Sequence, residues 1–275
     1  MSTIATPTSS APPSTPRGPL LPAILRSEWT KFLSLRSSFW TLVSALAATI
    51  GLGAILSATY VAHYSHMTGA ERARFDPVSI SLSGLMLAQL AIGVLGILIV
   101  SGEYSTGLIR STFAAVPQRR LVLVAKGVVL TVVIAVVGIA ASLVAFFLGQ
   151  AILSGHGLQT TIQAPGVLRA VVGGGLYLTV LSLLALGLGT LIRHSAGAIA
   201  ALFGLLLVLP GIVQALPASW ANIIGPYLPS NAGEAIFQVG KHAHSLGPWV
   251  GFGVFCAYAA AALLAAGWSL TRRDA

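Results

Sequence analysis

The sequence predicts an all-α polytopic membrane protein with six transmembrane helices, and three observations carry that expectation. The 275 residues are 56% hydrophobic and only 8% charged, with a mean hydropathy of +0.89. A soluble domain carries about 25% charged residues, so one water-facing core could not hide this much apolar surface. Six runs approach or exceed the roughly 20 apolar residues that a helix needs to cross a bilayer core: residues 39–61, 80–100, 127–148, 167–192, 196–216 and 249–270. The bases cluster in segments that flank these runs rather than along one stripe. That placement suits an anionic membrane leaflet, so the net charge of +9 does not point to nucleic acid.

Residues 1–22 are rich in Ser, Thr, Pro and Ala and have no apolar core. Such a segment cannot bury enough surface to offset its ordering entropy and reads as a disordered cytoplasmic tail. Residues 23–275 then form one six-span membrane domain. The first long apolar run exceeds the 7–15 residues of a signal-peptide core, so no cleavable signal is expected. Leading into and along residues 23–36, Leu21, Leu25, Trp29 and Phe32 recur at helical spacing, while Arg26, Ser27, Thr30, Lys31 and Ser34 fall largely elsewhere. This is the pattern of an interfacial helix, with Trp29, Lys31 and Arg36 as membrane-interface anchors. Only Arg193, His194 and Ser195 separate the fourth run from the fifth, which demands a tight turn, and Pro210 and Pro217 leave the end of the fifth run ragged.

Charge sets the expected orientation. With the N-terminus inside, inner segments carry Arg17, Arg26, Lys31, Arg36, Arg110, Arg119, Arg120, Lys126, Arg193, Arg272 and Arg273. Outer segments carry only Arg72, Arg74, Arg169 and Lys241. Bases concentrate on the cytoplasmic side of membrane proteins, so both termini are expected in the cytoplasm. Small residues recur every fourth position in the last run at Gly253, Ala257, Ala261 and Ala265. Such stripes let helix backbones approach closely in lipid, and this one is expected to serve helix packing.

Several classes of chemistry are disfavoured. No charged residue sits centrally in any run, whereas ion-coupled carriers use buried acids or histidines as relays. No G-x-x-x-x-G-K-[ST] phosphate loop is present. His242 with His244, and His63 with His66 beside Glu71 and Asp76, read as solvated loops rather than metal sites. Cys256 stands alone inside an apolar run and reads as a packing residue, and no catalytic cluster is evident.

The most informative segment is the polar island at residues 102–126, GEYSTGLIRSTFAAVPQRRLVLVAK, between the second and third runs. Glu103, Gly107 and Arg110 share one face if the segment is helical, and Tyr104 adds an amphipathic surface. Pro117 breaks the segment, after which Arg119, Arg120 and Lys126 flank the third run. Arg120 and Lys126 are expected as membrane-interface anchors. An ordinary positive inner loop accounts for the bases but not for Glu103, Tyr104 and Gly107 directly after a span.

The island resembles the first cytoplasmic loop of permease subunits of ABC-2-type ABC transporters. The matching positions are Glu103, Tyr104, Gly107, Ile109, Arg110, Pro117, Arg119 and Lys126; Leu108 departs from the pattern, since threonine is common there. Residues 27–40, with Glu28, Lys31 and Arg36, resemble the family's entry helix, and residues 227–237 resemble the segment before its last span. The resemblance implies a bacterial inner-membrane exporter permease that pairs with a second permease subunit, identical or not, and with two ABC ATPase subunits. ATP and Mg2+ would bind in those ATPase chains, with no cofactor in this one. Glu103, Tyr104, Gly107, Ile109, Arg110, Pro117 and Arg119 would belong to a coupling helix seated on the ATPase. The cargo is expected to be hydrophobic or amphipathic, because the spans offer Gln89, Tyr177 and Ser182 but no central charge. An ion-coupled carrier and a non-transport assembly or sensor subunit are the alternative readings.

Overall fold

The computed structural model describes residues 20–73, 75–116, 118–240 and 245–272. Among them every regular element is helical, and six helical segments are long and apolar enough to cross a membrane. Most of the tail at residues 1–22 lies outside the described residues, as do Arg74, Pro117, Lys241, His242, His244 and Arg273.

Helix α1 (Leu20–Ser34) starts three residues before the expected interfacial helix, and Leu35 breaks it in extended conformation. Helix α2 (Arg36–His63) is the first span. Two short helices follow, α3 (Gly69–Ala73) and α4 (Pro77–Ser81). Asp76 caps α4 by accepting from the Val78 N–H, and Pro77 at the first turn has no N–H to leave unsatisfied. The second span, α5 (Leu85–Ser105), therefore begins five residues later than expected and runs on through Glu103 and Tyr104. It stops before Gly107, whose φ of +75° is a left-handed conformation that glycine adopts without steric cost. Beyond it lie α6 (Leu108–Ala115) and the third span, α7 (Arg119–Ser154). At 36 residues α7 extends for ~54 Å at 1.5 Å per residue. That exceeds the ~30 Å hydrocarbon core.

Helix α8 (Val167–Ile192) coincides with the expected fourth span. The tight turn after it forms as expected: Arg193 takes a left-handed φ of 59°, and the His194 ring caps the next helix by accepting from the Gly197 N–H. The fifth span is composite. Helix α9 (Ser195–Phe203) passes through a π-helical stretch, Gly204–Val208, into α10 (Leu209–Gln214). Pro210 supplies a physical reason, because its ring displaces the normal i−4 hydrogen bond and a widened turn accommodates it. Helices α11 (Ala218–Ile224) and α12 (Pro229–Glu234) then fold over one end of the bundle, before the last span, α13 (Pro248–Arg272).

Helix α8 is the centre of the bundle, packed by α7, α5 and α13. Close approach depends on glycine there: a Cβ on Gly175 would collide with the Ile139 backbone of α7. Tyr177 of α8 is fully buried, donates a hydrogen bond to Gln89 of α5 and stacks on Phe255 of α13. Ser182 is buried as well and donates to the Thr179 carbonyl. These three polar side chains, expected along a cargo path, are instead internal to this chain.

The small-residue stripe of α13 is not the face that packs within this chain. Gly253, Ala257, Ala261 and Ala265 are all exposed, and a Cβ on Gly253 would meet nothing within 4 Å. The buried face carries Gly251, Phe255, Ala259, Ala266 and Leu270. Phe255 decides the choice, since its ring fits between α8 and α12 against Tyr177, 5.3 Å between centroids. A large knob in a matched hole gains more contact than a row of methyl groups.

Candidate functional site

Four helix ends meet at one face of the bundle, where α5, α6, α7 and α1 converge. The face that α1 turns inward is offset from the expected stripe. Ile24, Glu28 and Phe32 are buried, at 6%, 5% and 6% exposure, whereas Trp29 is 40% exposed. These three positions are spaced by four residues, so Glu28 rides on the apolar face between Ile24 and Phe32.

Glu28 is drawn inward by Lys126. The Lys126 ammonium, on the second turn of α7, lies 2.7 Å from Glu28 Oε2 and 2.7 Å from Glu103 Oε1 of α5. Lys31 completes the ring, 2.7 Å from Glu28 Oε1 and 3.2 Å from Glu103 Oε1. Two acids and two bases thus alternate around a closed, charge-neutral circuit. Lys126 is 4% exposed, so its expected role as a surface anchor is corrected: an ammonium buried this deeply needs counter-charges more than headgroups. Lys31 is also held in the ring. Burial acts to lower its basicity, and the Glu28 and Glu103 carboxylates outweigh that effect and hold it above the ordinary lysine value.

The ring reaches the polar island directly. Lys31 Nζ donates to Thr112 Oγ1 of α6 at 3.4 Å. Ile109 anchors α6 from below with 4% exposure, and the Phe113 ring lies under the Arg119 guanidinium, 5.2 Å from ring centroid to Cζ. Leu108, Arg110 and Ser111 face outward, with Leu108 59% exposed. Arg193, from the α8–α9 turn, sits over the Tyr104 ring at 5.2 Å, and Ser101 pairs with Ser195 at 2.8 Å. At the far end of the chain the Arg119 guanidinium donates to the Leu270 carbonyl of α13 at 3.3 Å, and Arg120 to Gly267 at 3.4 Å. Arg36 and Arg120 are exposed. A cavity of about 590 Å³ opens beside the ring, lined by apolar Phe32, Leu35, Leu98, Leu108 and Leu130.

Glu103, Gly107 and Arg110 do not share a helical face, because the left-handed turn at Gly107 separates α5 from α6. Glu103 faces the ring, and Arg110 faces outward. Pro117 lies outside the described residues. Sequence reading did not find the partnership of Glu28 with Lys126, which spans 98 positions. The available signal was an acid at helical spacing between two apolar residues, in a chain with only six acids. Thr112 and Phe113 carried no signal of their own. Among the described residues no group of three or more His, Cys, Asp or Glu is placed to hold a metal ion.

Chemically, the arrangement is a fastening. It ties α1, α5 and α7 together by charge, holds α6 through the Thr112 hydroxyl, and leaves Leu108, Arg110 and Ser111 of α6 exposed. No protein-family model matches the chain, and no curated protein sequence matches it.

Proposed function

We propose that this chain is the membrane-spanning permease subunit of an ATP-driven exporter of the ABC-2 type, in a bacterial inner membrane with both termini cytoplasmic. It works beside a second permease subunit and separate ABC ATPase subunits that bind ATP and Mg2+. The cargo is hydrophobic or amphipathic. The observation that carries the reading is α6. The segment whose sequence resembles the family's coupling loop is a short helix, tied to the bundle on one face and exposed on the other at Leu108, Arg110 and Ser111.

The geometry suggests how force would pass. A push on α6 reaches Lys31 through Thr112, and through the ring reaches Glu28, Glu103 and Lys126. Paired, buried charges resist separation because parting them leaves a desolvated ion without a partner. The ends of α1, α5 and α7 therefore move as one body. Closure of an ATPase dimer would draw two such bodies together and open the path between two permease subunits.

The test is expression of this chain together with its neighbouring genes, followed by co-purification of any ATPase and ATPase assays in nanodiscs. Arg110→Ala is expected to weaken substrate-stimulated ATPase activity about tenfold or more, since charge-assisted contacts contribute roughly 1.5–3 kcal/mol. The variant should still reach the membrane with unchanged thermal stability, because Arg110 is exposed. Wild-type stimulation in the variant, or the absence of any co-purifying ATPase, would overturn the reading.

A further inference from the structure

The opposite end of the bundle holds a second polar site. Helices α11 and α12 fold over the ends of α10 and α13 and enclose a cavity of about 320 Å³. Its lining includes Gln214, Asn222, Asn231, Gln238 and the acidic residue Glu234, over apolar Val213. That volume is at the lower end for small-ligand pockets. A chain with so few acids has placed one among four amide side chains, in a partly closed pocket.

Glu234 has no ion pair or hydrogen bond to its carboxylate among the described residues. Two groups lie near it. Arg169 of α8 sits beside the same segment, but its guanidinium is turned to backbone carbonyls, 2.6 Å from Ile236 O and 2.9 Å from Gln238 O. Tyr177 feels Glu234 electrostatically, and its hydroxyl is committed to Gln89. The stretch from residue 241 to 244, with Lys241, His242 and His244, joins two lining segments and lies outside the described residues. Burial alone raises the Glu234 carboxyl to about 7. A buried carboxylate without a counter-charge is costly, and a bound cation removes that cost. The amide oxygens add acceptors, while an anion would meet the carboxylate.

We propose that this cavity is a binding site for a small organic cation, with Glu234 as its counter-ion and the surrounding amides as acceptors. The site opens at the end of the bundle away from the ion-pair ring, where α7 ends and α8 begins. It belongs to this chain alone and does not depend on the exporter reading.

Benzylamine is a suitable probe because its ammonium group donates to amide acceptors and stays protonated between pH 6 and pH 8. Equilibrium dialysis against the purified full chain in nanodiscs, without any ATPase, should show saturable one-site binding at pH 8. Between pH 8 and pH 6 the affinity should fall by roughly tenfold, as a carboxyl titrating near 7 becomes neutral. Benzenesulfonate should not bind. Glu234→Gln keeps the shape of the side chain and should bind at least about tenfold more weakly at pH 8, without pH dependence. Absence of saturable binding at pH 8 would overturn the proposal. So would equal affinity at pH 6 and pH 8 in the wild type, a reading that stands even if Glu234→Gln fails to fold. Equal affinity in a folded Glu234→Gln would do the same. Failure of the exporter reading would leave all these outcomes unchanged, because no ATPase enters the assay.

Discussion

Lys126 shows how much one side chain can decide. It holds two carboxylates, Glu28 and Glu103, each 2.7 Å away. Without it those acids would face each other with only the more exposed Lys31 between them. Removing one partner of a buried ion pair costs about 3–5 kcal/mol, because the remaining charge stays buried and uncompensated. Lys126→Met is therefore expected to lower the thermal midpoint of the purified chain substantially. Glu28→Gln combined with Lys126→Met should lose clearly less than the sum of the two single losses, since residues in one network couple. Additive losses, or an unchanged midpoint for Lys126→Met, would show that the ring does not fasten the helices. The sequence hid this residue's role for a plain reason. A base just ahead of an apolar run looks like a membrane flank, and nothing local reveals an acid 98 positions away.

At the scale of helices, the spans were legible and their faces were not. Length and hydropathy located all six, and the fourth, α8, was placed to the residue because Gly166 and Arg193 bound it in left-handed conformations. The end of α5 was misjudged because Glu103 and Tyr104 look like loop residues, yet no helix breaker precedes Gly107. Packing faces escaped because lipid is as apolar as the bundle interior, so the inner and outer sides of a span differ little in hydropathy. Helix α13 makes this concrete. Its regular small-residue stripe is exposed, and its packed face is set by Phe255 and the buried Ala259. Ala259→Leu is expected to cost about 1–3 kcal/mol through overpacking. Ala261→Leu, on the exposed stripe, should stay within about 0.5 kcal/mol. Thermal melts of monomeric chain in detergent would separate the two. A loss for Ala261→Leu as large as that for Ala259→Leu would mean that the stripe packs against the bundle as well.

Across the whole molecule, the two ends differ in kind, and that difference makes orientation testable. One end gathers the ion-pair ring, α6, Arg119, Arg120 and Arg193; the other gathers the short helices α3, α4, α11 and α12 and the cavity around Glu234. Eleven of the fifteen Lys and Arg residues fall in segments assigned to the ring end or continuous with it. Positive residues near span ends resist translocation, so the ring end is predicted to face the cytoplasm. The polar island was legible in the sequence, while its attachment required the fold, because the ring joins three separate helices. A Cys256→Ala background removes the native thiol. Ser111→Cys on α6 and Gln159→Cys on the α7–α8 connection then place single thiols at exposed positions on opposite ends. A membrane-impermeant maleimide applied to intact cells should label Gln159→Cys at once and Ser111→Cys only after permeabilisation. The reverse pattern would place α6 outside, beyond the reach of any cytoplasmic ATPase, and the exporter reading would fall with the orientation. The cation site would remain, now opening to the cytoplasm, where near-neutral pH leaves a carboxyl that titrates near 7 poised between its two states.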